Sequence, residues 1–94
     1  MTPQEVAAAE SAMKQAEGMI AGFIPEGAQV GMATLIIQSA DASPNQTVDG
    51  RFAAAKAALL AAAAASGHAG QLSDDMATDL VDAALNAVAA LRPA

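Results

Sequence analysis

The sequence predicts an all-α fold, a small bundle of about four helices with short connections. Three observations predict it. Alanine, the best helix former, supplies 28 of the 94 residues. The larger apolar residues recur at helical spacing in four segments. Gly, Pro, Ser and Asn cluster between those segments and punctuate them. A chain of this length makes one domain, residues 1–94.

The first helix opens on Thr2-Pro3-Gln4-Glu5, a capping box with proline at the first helical position. Val6, Ala9, Met13, Ala16, Ile20 and Phe23 then form one apolar seam, with Glu5, Glu10, Lys14 and Glu17 largely off it. Glu10 and Lys14 make a favourable i, i+4 pair. Gly22 and Pro25 end the run.

The second segment opens at Pro25-Glu26-Gly27 and runs to about Ala42. Val30, Ala33, Ile37 and Ala40 form its row, with Met32, Leu35 and Ile36 beside it. Residues 28–38 also read as a buried strand, because β-branched side chains are common there. Helix is preferred because no second strand is available to pair with it.

A polar linker spans Asp41 to Gly50 and holds two rival helix starts. Ser43 with Gln46 fits a capping box; Thr47 with Asp49 fits an N-cap with an acidic first turn. Asn45-Gln46-Thr47 matches a glycosylation sequon, read as chance without a secretion signal. The third helix follows, from about Val48 to Ser66, and stops at Gly67. Val48, Phe52, Ala55, Leu59 and Ala62 make its main stripe. After Lys56 no polar side chain appears until Ser66. A helix apolar all round is buried or covered by a partner, so residues 53–65 are expected to be covered by this chain or another.

Gly67-His68-Ala69-Gly70-Gln71 is a turn, and Ser73 caps the fourth helix, with Asp74 and Asp75 near its positive end. Ala77, Leu80, Val81, Ala84, Leu85, Val88 and Leu91 are expected to point inward. Asp75, Asp79, Asp82 and Asn86 share one polar face. Arg92 complements the C-terminal dipole and Pro93 ends the helix.

The alanine content also limits the core. Only 23 larger apolar side chains remain, and one methyl group contributes on the order of 0.8 kcal/mol when buried. Alanine offsets this by losing no side-chain entropy.

Composition excludes several function classes. The net charge of -6 repels nucleic acid and anionic membranes, and Lys14, Arg51, Lys56 and Arg92 lie far apart in the chain. Two aromatic residues make no stacking platform. The lack of cysteine removes disulfides, thiolate metal sites and cysteine nucleophiles. No signal peptide is visible, and the longest apolar run, Ala57 to Ala65, has nine residues against the ~20 of a spanning helix. A soluble cytoplasmic protein is the expectation.

No catalytic, cofactor or metal constellation is legible. His68 sits between glycines without a nucleophile–base–orienter set. The aspartate row lacks the spacing of a calcium loop. Gly18 with Gly22, and Gly27 with Gly31, suggest close approach of helix backbones. Met13, Met19, Met32 and Met76 read as core filling.

These readings point to a non-enzymatic protein–protein interaction or assembly module that needs no cofactor. Its partner is another protein or a second copy, and the third helix is the hypothetical subunit interface or the bundle's central helix. The candidate contact residues are Ala54, Ala57, Ala58, Leu60 and Ala61 on that helix, with Asp75, Asp79 and Asp82 on the fourth. A second reading follows from charge: a compact acidic protein can occupy a basic surface of a nucleic-acid-handling complex and inhibit it. In size and charge the chain resembles small acidic inhibitors encoded by bacteriophages.

Overall fold

Among the described residues four helices form in the order expected, and no strand occurs. The computed structural model describes residues 1–16, 26–67 and 72–92. The helices are α1 (Pro3–Ala16), α2 (Glu26–Asp41), α3 (Val48–Ala65) and α4 (Asp74–Leu91). The expected extension of the first helix to Phe23, Gly18 with Gly22, Met19, His68 and Pro93 all lie outside the described residues.

Each helix start has a local cause. The Thr2–Glu5 box closes in both directions: the Glu5 N–H donates to Thr2 Oγ1 at 3.1 Å, and the Thr2 N–H donates to Glu5 Oε1 at 3.0 Å. Of the rival starts in the linker, Thr47 wins. Its hydroxyl accepts from the Gly50 N–H at 3.0 Å. Gln46 does something else: its Nε2 donates to the carbonyls of Ala40, Asp41 and Ser43, closing the end of α2. Ser73 caps α4 by accepting from the Met76 N–H at 3.1 Å. Gly67 ends α3 with φ +81°, a left-handed conformation natural to glycine.

The stretch that was ambiguous between helix and strand is helical. Its buried residues are Gln29, Ala33, Ile36, Ile37 and Ala40, the i, i+4, i+7, i+8, i+11 pattern of one helix face. Val30, expected on that row, is 43% exposed, and Gln29 takes the inward place. At about 100° per residue the stripe is centred on Ala33 and Ala40, and Val30 lies well round on its flank. A similar shift occurs in α1. The buried row is Glu5, Ala9 and Met13, so Glu5 is an inward residue, while Val6 is half-buried and Ala16 exposed.

The helices alternate in direction. Glu5 near the start of α1, Asp41 at the end of α2, Arg51 in the first turn of α3 and Arg92 just after α4 all meet at one end of the bundle. Short links between antiparallel neighbours produce this up-down arrangement. α1 and α3 each pack against α2 and α4, α2 also touches α4, and no comparable contact joins α1 to α3. The cross-section is therefore a rhombus with α2 and α4 on its short diagonal. Ala33 and Ala40 of α2 and Ala77 and Ala84 of α4 are fully buried, small side chains on the inward faces of those two helices. The envelope of 36 × 24 × 19 Å is correspondingly flattened.

The core joins Met13 of α1, Ile36 and Ile37 of α2, Leu59 of α3, and Leu80, Val81 and Val88 of α4, with Leu72 buried just before the α4 cap. Met32 and Met76 pack against it. Leu85 is only partly buried and Leu91, in the last turn, is 52% exposed, so the inward row of α4 stops short of its end. Among the described residues no helix is long and apolar enough to cross a membrane.

Candidate functional site

Three surface features carry chemistry: the outward face of α3, the aspartate row of α4, and an ionic cluster with an adjoining groove at the Arg92 end.

α3 occupies an outer corner of the rhombus, so of the two places expected for it the central one does not hold. Ala55 and Leu59 are its buried residues; Phe52, Leu60 and Ala63 are partly covered. Of the predicted contact residues, Ala57 and Ala61 are exposed, and Ala54, Ala58 and Leu60 are half-buried. Ala53, Ala62, Ala64 and Ala65 are exposed too, so this chain leaves much of residues 53–65 uncovered. Val48, placed on the inward stripe by spacing, is 85% exposed, and Ala62 is also outside. A corner helix touches its neighbours along a stripe narrower than its apolar circumference. The glycine spacing has no packing role at Gly31, where an added methyl group would meet nothing within 4 Å.

On α4, Asp75, Asp79 and Asp82 are exposed in one row. None of the three makes an ion pair or hydrogen bond among the described residues. Asp74, beside them, accepts from Lys56 Nζ at 2.9 Å. No group of three metal-ligating side chains converges among the described residues.

The ionic cluster joins residues that no sequence spacing connects. Sequence separation placed the cations far apart, yet two of them share one carboxylate. Asp41 Oδ1 accepts from Arg51 Nη1 and from Arg92 Nη1, both at 2.9 Å, and its Oδ2 accepts from Arg92 Nη2 at 2.9 Å. Arg92 also donates through Nε to Glu5 Oε2 at 2.7 Å. One guanidinium thus ties α4 to α1 and α2, and Arg51 brings in α3. The hydrogen bond from Arg92 chiefly, with the Thr2 N–H second, holds the Glu5 carboxyl below its ordinary range. Arg92, then Arg51, hold Asp41 down to about 2 against the opposing cost of burial. Asp41 and Glu5 in return hold the Arg92 proton more firmly. Glu5 is 7% exposed, which its cap role and arginine partner make tolerable. The only sequence signal was the capping box, which placed Glu5 at a helix start without indicating its distant partner.

A groove with a volume of about 390 Å³ adjoins the cluster. It is lined by Gln46, Val48 and Arg51 on one side and by Leu85, Asn86, Val88, Ala89 and Arg92 on the other. Gln46 Oε1 accepts from Arg51 Nη1 at 2.9 Å, which steadies that wall. Comparison with protein-family models, with curated proteins and with solved structures returns no match to this chain.

Proposed function

We propose that this chain is a non-enzymatic protein-contact module whose main contact surface is the outward face of α3. One observation carries the reading: residues 57–65 hold no charged or polar side chain, yet Ala57, Ala61, Ala62, Ala64 and Ala65 face outward. A contiguous uncharged helix face is the kind of surface that partners cover. Small side chains allow a second helix to approach closely, and self-association is one means by which a small domain gains stability. Sedimentation and small-angle scattering over a range of concentration test the homotypic form. Association should strengthen with added salt, which screens repulsion between copies of charge -6. Introducing charge by Ala57→Glu with Ala61→Glu should abolish it. A compact monomer at every concentration and salt removes the homotypic form, and a partner captured equally by that variant removes the contact face altogether.

The carboxylates of Asp75, Asp79 and Asp82, exposed and without an ion pair among the described residues, favour a second reading, an acidic inhibitor docking on a basic surface. Such binding would fall steeply between low and moderate salt. Changing the three aspartates together to asparagine would abolish it and leave self-association through α3 intact.

A further inference from the structure

We propose that the groove at the Arg92 end binds the free C-terminal carboxylate of a polypeptide whose last residue is aliphatic. The site is separate from the outward face of α3, so either proposal can fail alone.

Two of the four cations of an acidic chain, Arg51 and Arg92, line this one groove. Arg92 is engaged through Nε, Nη1 and Nη2 with Glu5 and Asp41. Arg51 is not fully engaged. Its Nη1 serves both Asp41 and Gln46, whereas its Nε and Nη2 donate to nothing among the described residues. A guanidinium presents five N–H donors in a fixed fork that suits a carboxylate. Asn86, exposed and without a hydrogen bond among the described residues, adds a donor and an acceptor on the facing wall. The same groove is lined by Val48, which is 85% exposed, and by the apolar side chains of Leu85 and Ala89.

A guanidinium N–H donor, a carboxamide and an aliphatic wall within about 390 Å³ match a ligand with three corresponding parts. A C-terminal leucine or valine supplies them on adjacent atoms: carboxylate to Arg51, backbone N–H to the Asn86 carbonyl, branched side chain to Val48 and Leu85. An internal Asp or Glu offers the charge without the branch. A short fatty acid offers charge and chain without the N–H. The volume lies near the lower end of small-ligand sites and suits the last residue or two of a chain. Asp82 stands one helical turn before Asn86, is exposed, and opposes the incoming charge.

The probe is the peptide Gly-Gly-Ser-Leu with a labelled N-terminus, measured by fluorescence anisotropy and by amide shifts of the whole protein. The free acid should bind saturably. Its C-terminal amide should bind about tenfold more weakly, the effect of losing charged hydrogen bonds. Octanoate should bind more weakly than the acid peptide and leave the Asn86 side-chain signals in place. Arg51→Gln should lose about the same factor, with no further loss on amidation. Asp82→Asn should tighten binding a few-fold. Because Arg51 also joins helices, Val48→Glu serves as the second variant: Val48 is almost fully outside the fold, and a carboxylate there should abolish binding with helicity unchanged. Equal affinity for acid and amide overturns the proposal. So do octanoate matching the peptide, full binding by Val48→Glu, or no saturable response.

Discussion

Acidification should reach the Arg92 cluster before it reaches the apolar core, and Asp41→Asn isolates the effect. The Asp41 carboxyl is held from its ordinary 3.8 down to about 2, first by the hydrogen bond from Arg92 and then by Arg51. A folded-state pKa below the unfolded one means that the charged form stabilises the fold. That contribution is complete above about pH 5 and is lost as pH falls through 4 toward 2. At about 1.4 kcal/mol per tenfold change in proton affinity, the upper bound is about 2.5 kcal/mol. The Asp41 side chain is 34% exposed, and solvent screening brings the figure to about 1 kcal/mol. Glu5 shifts in the same direction and adds to the same window. The assay is urea unfolding followed by circular dichroism at steps between pH 6 and pH 2, for the native chain and Asp41→Asn. The native chain should lose stability over that window, and the variant should start about 1 kcal/mol lower at pH 6 with a shallower slope. At this chain length such a difference moves the melting temperature by roughly 4–8 °C. Parallel profiles, or a variant as stable as the native chain at pH 6, would refute the claim that Asp41 links the helix ends.

Two glycines should respond oppositely to alanine. At Gly50 an added methyl group would collide with the Asn45 carbonyl oxygen and come within 2.7 Å of Asn45 Cγ, so Gly50→Ala should destabilise by about 1–3 kcal/mol in chemical denaturation. Gly31 is helical with open space around it, so Gly31→Ala should stabilise by up to about 1 kcal/mol through helix propensity. Leu80 is fully buried between the helices, and Leu80→Ala should cost about 2–5 kcal/mol, a large share of the stability of a domain this small. A loss under about 1 kcal/mol in the same assay would show that α4 does not anchor the core.

What could be read from residues alone was local. Helix type, order and caps follow from interactions spanning three or four positions: Thr2 with Glu5, Thr47 with Gly50, Ser73 with Met76, and Gly67 at a left-handed turn. Alternation of apolar and polar residues at helical spacing identified α4 almost residue by residue, because that helix has a distinct polar row. The same spacing failed on α3, where alanine covers most of the circumference and no periodicity marks the inward side. Spacing alone puts Val48 and Ala62 on the inward stripe for that reason, and both lie outside.

Tertiary structure decided everything that depends on residues distant in sequence. It placed α3 at a corner rather than at the centre, since α3 docks on α2 and α4 and makes no comparable contact with α1. It turned Glu5 inward, because Arg92, 87 positions away, was there to receive it. It also gathered two scattered arginines around Asp41 and beside a groove. Capping and periodicity act within a few residues and leave their record in the sequence; the meeting of helix ends depends on how whole helices dock, and no short-range pattern encodes it.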